Sequence, residues 1–137
     1  MNTWAFGTAV RTLWQEARGE PPEGQRAVAH VLVNRLASKR WGTTLGSVCV
    51  AYAWQFSGWW ATDKGDDENR LASTELPDDA PILVSLGAIL QAAIDGETDP
   101  TRGATHYYAK NIAPPKWTEG ATFCGEFGNQ FFYKDVK

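Results

Sequence analysis

The side chains with the clearest potential for chemistry are three acids at a predicted helix boundary, Glu16, Glu20 and Glu23. The first helical pattern stops at Gly19, and the two prolines that follow prevent its continuation. A half-buried carboxyl in the last turn of a helix loses hydration and faces the negative end of the helix dipole. Both effects raise its pKa, so it can hold a proton and deliver it to the leaving oxygen of a glycosidic bond.

Glu16 is the acid whose predicted position best fits this role. At 100° per residue it falls at the margin of the apolar face of its helix, beside Ala9. Arg18 or Arg35 nearby would favour the ionised carboxylate instead. Spacing alone therefore leaves the direction of the pKa shift open, and a solvated glutamate at a helix end explains the same pattern.

Two amphipathic helices must position this corner. The first is predicted from Thr3 to Arg18, with Asn2 or Thr3 as its N-cap. Its apolar face contains Phe6, Ala9, Val10, Leu13, Trp14 and Ala17, and its polar side contains Thr8, Arg11, Thr12 and Gln15. The second helix is predicted from Pro22 or Glu23 to Ser38. Its buried stripe contains Ala27, Val28, Val31, Leu32 and Leu36.

Two polar residues of the second helix need separate interpretation. Arg35 projects into the apolar stripe, which is costly for a cation unless a carboxylate of the corner, Glu16 or Glu20, meets it. The alternative is an arginine whose stem packs while its guanidinium stays in water. His30 falls on the polar side of the helix, where we expect it to be a surface residue.

The rest of the chain predicts further helices followed by extended segments. A third helix is expected from Thr44 to Ala53, capped by Thr43 or Thr44, and another from Pro81 to Ile94, ended by Asp95-Gly96. Between them, residues 58–79 form a predicted loop rich in aromatic and acidic residues: Trp59, Trp60, Asp63, Asp66, Asp67 and Glu68. Short strands are predicted at 105–108 and 130–133, which makes the chain mostly helical and α+β.

Length, charge and hydropathy limit the function. A chain of 137 residues fits a single domain, 1–137, and seven tryptophans can serve both a core and a carbohydrate groove. The net charge of −3 without a basic stripe argues against nucleic-acid binding, and no apolar run is long enough to span a membrane. Cys49 and Cys124 either pair or remain free thiols.

A set of short motifs extends in a fixed order from the acidic corner to the C-terminus. The motifs are Glu16-Ala17-Arg18-Gly19-Glu20-Pro21, Glu23-Gly24-Gln25, Ala27-Val28-Ala29, Val33-Asn34-Arg35, Gln55-Phe56-Ser57, Gly103-Ala104-Thr105-His106-Tyr107-Tyr108, Pro115-Lys116-Trp117, Gly128-Asn129 and Phe131-Phe132. Together they resemble the catalytic domain of the SleB/CwlJ-type cell-wall hydrolases, known from spore-cortex lytic enzymes and phage endolysins. The chain departs from this family at Gln130, where the family often has histidine.

The resemblance implies a lysozyme-like or lytic-transglycosylase-like fold that cleaves peptidoglycan between N-acetylmuramic acid and N-acetylglucosamine. It places the catalytic glutamate at Glu16 and needs no metal or cofactor. Glu20 becomes a structural or substrate-side carboxylate. The implied substrate-binding residues are Glu20, Gln55, Ser57, His106, Tyr107, Tyr108 and Trp117. The strand pattern at 105–108 places His106 and Tyr108 on one face and Tyr107 on the other.

Several mechanisms remain open at this point. A lytic transglycosylase needs one acid/base, which favours Glu16 acting alone, whereas a hydrolytic muramidase needs a second carboxylate, such as one of the acids in the 58–79 loop. A zinc amidase would use His30, His106 and a cysteine, although their spacing is not typical of metal ligands. A non-catalytic glycan-binding module would use Trp59, Trp60 and Trp117 but would leave the acidic corner unexplained.

The N-terminus lacks a basic segment followed by an apolar run, so we expect no signal peptide. This pattern fits a monomeric phage-type endolysin that is made in the cytoplasm and released to the peptidoglycan through a separate pore. A trimmed catalytic domain would have the same sequence features.

Overall fold

The computed structural model describes residues 3–50 and 72–137, and the predicted Gln55-Phe56-Ser57 motif and most of the acidic loop lie outside these ranges. The elements in chain order are α1 (Thr3–Ala17), α2 (Pro22–Ser38), α3 (Leu45–Val50), α4 (Pro81–Ile94), β1 (His106–Ala109), a 3-10 helix (Lys116–Thr118), β2 (Thr122–Phe127) and β3 (Gln130–Lys134). The α+β class is confirmed. Residues 72–75 are also helical, so the prediction of one continuous loop over 58–79 is wrong there.

The helix boundaries follow local signals in the sequence. At α3 the Ser47 amide donates to Thr44 Oγ1 over 3.1 Å, which identifies Thr44 as the predicted cap. α2 begins at Pro22, whose missing N–H is not needed in the first turn, and ends at Lys39 in a left-handed conformation. α4 ends as predicted at Asp95, whose amide donates to the Gln91 carbonyl over 2.9 Å.

α2 lies at the centre of the domain and contacts α1, α3, α4 and β2. For this reason the predicted surface position of His30 is wrong: the residue is only 2% exposed, and its Nε2 lies 3.3 Å from Glu97 Oε1. The polar side of the helix is covered by the segment that follows α4. Asp99 in that segment accepts a hydrogen bond from Asn34 Nδ2 over 2.8 Å.

The predicted polar side of α1 is also partly buried. Thr12 and Gln15 are buried, contrary to their predicted place opposite the core. Thr12 Oγ1 donates to the Thr8 carbonyl over 2.8 Å, and Gln15 Nε2 donates to Ser73 Oγ over 2.8 Å. Helical residues 72–75 therefore cover a face that an isolated amphipathic helix would expose to water.

The three strands form an antiparallel sheet in the order β1-β3-β2. β1 and β3 were predicted, but β2 was not. A bulge between Phe123 and Gly125 interrupts its pairing with β3, and Gly125 has a φ of +136°. This glycine breaks the alternation of apolar and polar residues by which a strand is predicted.

The sheet has an inner and an outer face. On the inner face Tyr107 packs against Phe132, with ring centroids 5.4 Å apart. On the outer face Trp117 contacts both His106, at 5.1 Å, and Tyr108, at 5.9 Å. The predicted alternation of these residues in β1 is confirmed.

The core is formed by the apolar faces of the helices and the inner face of the sheet, around Leu13, Val28, Leu32, Leu86 and Phe132. Cys49 and Cys124 are both buried and both free, so they do not form a disulfide. None of the helices in the described ranges is long and apolar enough to cross a membrane.

Candidate active site

Glu16 lies in the last turn of α1, where the chain turns into α2, and its side chain is half-buried. The Tyr107 hydroxyl, from the inner face of β1, donates a hydrogen bond to Glu16 Oε1. The corner and the sheet are distant in sequence, and the fold brings their two key side chains into contact. Glu16 therefore lies at the junction between the helices and the sheet.

The Tyr107 hydroxyl is a permanent donor. Its burial, followed by the charge of Glu16 and the hydrogen bond to it, raises the pKa of Tyr107 well above the usual value. The phenol therefore keeps its proton at neutral pH. A hydrogen bond donated to a carboxylate favours its charged form, which opposes the effect of burial on such a group.

Arg35 supplies a buried positive charge beside this pair. The residue is 4% exposed, its Nε donates to the Thr105 carbonyl over 2.7 Å, and its guanidinium lies 4.6 Å from the Trp41 ring centroid. Burial lowers its pKa to about 10, while the charges of Tyr107 and Glu16 act in the opposite direction. Arg35 is thus a cation at neutral pH, and the alternative of a solvated guanidinium is wrong.

Glu20 has a different environment from Glu16. Its Oε1 accepts the Asn129 backbone amide over 2.7 Å, and its Oε2 accepts Asn129 Nδ2 over 3.3 Å. Asn129 belongs to the turn between β2 and β3, so Glu20 joins the helical corner to the sheet. Glu23, the third acid, lies exposed in the first turn of α2, where a negative charge stabilises the helix dipole.

The other predicted substrate-binding residues fall into two groups. His106, Tyr108 and Trp117 form an aromatic cluster on the outer face of the sheet, away from the contact between Glu16 and Tyr107. Gln55 and Ser57 lie outside the described residues. The fold therefore brings only Tyr107 and Glu20 of the predicted set to the acidic corner within the part that the structure describes.

His106 remains uncharged in this environment. Burial lowers its pKa to about 4, and the nearby charges of Arg35 and Arg40 act in the same direction. Its Nδ1 lies 2.9 Å from Thr105 Oγ1, and its ring meets the Trp41 ring edge-on. A neutral imidazole cannot supply a charge at neutral pH. Within residues 3–50 and 72–137, no cluster of His, Cys, Asp and Glu could hold a metal ion.

A polar pocket of about 360 Å³ lies next to the corner, between Glu20 and the end of β1. Its lining residues are Glu20, Ala109, Lys110, Asn111, Asn129 and Gln130. The sequence predicted a role only for Glu20. The Gly128-Asn129 motif was the available signal for the turn beside it, but Lys110 and Asn111 follow no pattern that would have identified them.

Comparison with solved structures identifies two similar catalytic domains. The catalytic domain of the germination-specific lytic transglycosylase SleB from Bacillus anthracis is 24% identical, with a TM-score of 0.74, over 98% of this chain and 97% of that one. The catalytic domain of the Bacillus cereus SleB protein is also 24% identical, with a TM-score of 0.70, over 97% and 91% of the two chains. These similarities establish the fold. None of the curated proteins matches the chain.

The profile of the Cell Wall Hydrolase family matches residues 19–133, which is most of the chain. The match includes Glu20, the polar pocket and the whole sheet, and Glu16 lies three residues before its first position. Both this match and the fold agree with the resemblance drawn from the ordered motifs. The chain therefore belongs to the cell wall hydrolase family.

Proposed function

We propose that this protein cleaves the glycan strand of peptidoglycan between N-acetylmuramic acid and N-acetylglucosamine, as a lytic transglycosylase with Glu16 as its acid/base. The observation that carries this proposal is the environment of Glu16, which is half-buried and contacts the Tyr107 hydroxyl beside the buried Arg35. The similar fold of a protein described as a lytic transglycosylase supports the same reaction class.

The reaction needs a single carboxyl group that first donates a proton and then accepts one. The protonated Glu16 gives its proton to the glycosidic oxygen, and the bond from that oxygen to the muramic anomeric carbon breaks. The C6 hydroxyl of the same muramic residue then attacks that carbon and returns its proton to the Glu16 carboxylate. The products are a 1,6-anhydro-muramic end and a free N-acetylglucosamine hydroxyl.

Tyr107 and Arg35 hold this carboxyl ready for both steps. The hydrogen bond from Tyr107 orients Oε1, and the charge of Arg35 stabilises the carboxylate that forms after the first proton transfer. A hydrolytic muramidase would need a second carboxylate, and its candidates Asp63, Asp66, Asp67 and Glu68 lie outside the described residues. We favour the single-acid mechanism because Glu20, the neighbouring acid, is bonded to Asn129.

The test replaces Glu16 with glutamine and measures both lysis and products. We expect Glu16→Gln to reduce lysis of purified sacculi by about 10² to 10⁴-fold, because the amide cannot donate or accept the proton. Binding to sacculi should persist. Glu23→Gln is the matched control: the same change at an exposed site in the first turn of α2 should leave lysis unchanged.

Mass spectrometry of the digest distinguishes the mechanisms. Anhydro-muropeptides in the digest support the transglycosylase mechanism. A digest that contains only reducing-end muramic acid would contradict it and indicate a hydrolytic muramidase. If wild-type protein binds sacculi without releasing any fragment, the domain is a glycan-binding module and the proposal is wrong. We further propose that the protein acts on peptidoglycan as a monomer.

A further inference from the structure

The polar pocket beside Glu20 lies along the same inner face of the sheet as the proposed catalytic pair. Ala109 in its wall follows Tyr107 by two residues on β1, so the pocket is about 7 Å further along the strand. Gln130 pairs with Ala109 on β3, and Glu20 closes the pocket from the helical corner. This distance is on the scale of one sugar unit and its substituents.

Gln130, one of the residues that line the pocket, carries an acceptor whose hydrogen-bonding capacity is unused. The Gln130 side-chain oxygen Oε1 is buried and has no hydrogen-bond partner among the residues that the structure describes. A buried polar atom in this state costs free energy unless a ligand or water meets it. Asn111, which lines the same pocket from an exposed position, carries an amide that can donate.

The charges of the pocket disfavour an anionic ligand. Lys110 Nζ is already paired with the Glu126 carboxylate, and the Glu20 carboxylate adds a further negative charge. A ligand carboxylate would meet this excess of negative charge. A secondary amide avoids this repulsion and offers one N–H to an acceptor and one C=O to a donor.

We propose that this pocket binds a secondary amide of the substrate, with its N–H on Gln130 Oε1 and its C=O facing the Asn111 amide. The inference rests on the proposed glycan cleavage and adds a specificity site to it. In peptidoglycan this group is either the acetamido substituent of a sugar or the first peptide bond of the stem attached to muramic acid.

The experiment compares wild-type and Gln130→Met protein on intact sacculi and on glycan strands freed of their peptide stems. We expect kcat/KM to fall about tenfold, the effect of one hydrogen bond to a buried group. If kcat/KM falls on both substrates, the pocket binds the acetamido group of a sugar. If it falls on intact sacculi alone, the pocket binds the first amide of the peptide stem. Asn111→Ala, at an exposed site, should reproduce the substrate pattern of Gln130→Met.

The thermal stability of the variants distinguishes a binding role of Gln130 from a structural one. Because Gln130 Oε1 is unsatisfied in the free protein, Gln130→Met should leave the unfolding midpoint unchanged or raise it. Gln91→Met, the same change on the exposed side of α4, is the control for activity and should leave kcat/KM unchanged. Unchanged kcat/KM for Gln130→Met on both substrates would overturn the proposal. A fall in the unfolding midpoint large enough to explain the loss of activity would overturn it as well. Inactive wild-type protein would instead refute the proposed function.

Discussion

At the scale of single residues, the chemistry of Glu16 depends on two partners from other elements. Tyr107 donates a hydrogen bond to Oε1, and Arg35 places a buried cation nearby. Both favour the carboxylate, whereas partial burial at a helix C-terminus favours the acid. The first two influences stabilise the carboxylate that the proposed proton transfer leaves behind, and the last stabilises the acid that must donate the proton.

Removal of the Tyr107 hydroxyl tests this balance. We expect Tyr107→Phe to lower lysis about tenfold and to move the pH–activity profile to higher pH, because a hydrogen bond that stabilises the Glu16 carboxylate is lost. Initial lysis rates of sacculi from pH 4 to pH 9 provide the measurement. Tyr133→Phe removes a hydroxyl from the outer face and should leave the profile in place. A profile that does not move in Tyr107→Phe would contradict the assigned role.

At the scale of elements, the site depends on a junction between the helical corner and the turn from β2 to β3. Glu20 binds Asn129 through both carboxylate oxygens, and the neighbouring Gly128 has a φ of +60°. A Cβ at Gly128 would lie 2.6 Å from Glu20 Oε1 and 3.1 Å from the Pro21 ring. Only glycine lets the turn approach the corner this closely.

Gly128→Ala should therefore destabilise the protein by about 2–3 kcal/mol, the sum of the left-handed conformation and the contact with Glu20. Gly120→Ala is the matched control, because Gly120 has a φ of +78° and no atom of the described residues lies within 4 Å of the place a Cβ would take. It should cost only about 1 kcal/mol, from the backbone conformation alone. Urea unfolding measures the free energy of unfolding of both variants. If the two variants lose the same free energy, the junction between Gly128 and Glu20 is not tightly packed.

At the scale of the whole molecule, the reactivity of the two cysteine thiols shows whether the core is closed. Cys49 is completely buried, and burial raises its pKa to about 12. Burial also raises the pKa of Cys124. Since only the thiolate reacts, about one Cys49 thiol in ten thousand is reactive at pH 8, and that one is enclosed in the core.

We expect Cys49 to react with a disulfide-exchange reagent only when the domain opens. Labelling at pH 8 should be at least about 100-fold slower in native protein than in 6 M guanidinium chloride, where both cysteines should react fully. Mass spectrometry of tryptic peptides identifies which cysteine carries the label. Rapid native labelling of Cys49, or a chain that shows no free thiol after denaturation, would contradict the structure.

Much of the helical framework could be predicted from the sequence because its signals are local. The start of α2 at Pro22, the Thr44 cap of α3 and the end of α4 at Asp95 each follow from a few neighbouring residues. Burial was predicted less well. His30 and Thr12 are buried because other elements cover their helices on several sides, and such coverage leaves no trace in the period of a single helix.

The sequence by itself determined the acidic corner, the order of the motifs and therefore the family. Only the tertiary structure decided which residues meet there: Tyr107 joins Glu16, Glu20 joins Asn129, and Gln130 lines the adjoining pocket. The physical reason is the separation along the sequence of the residues that interact. Caps, turns and helix periods depend on residues a few positions apart. The hydrogen-bond partner of Glu16, Tyr107, comes from a strand 91 residues away, and only folding of the chain brings the two together.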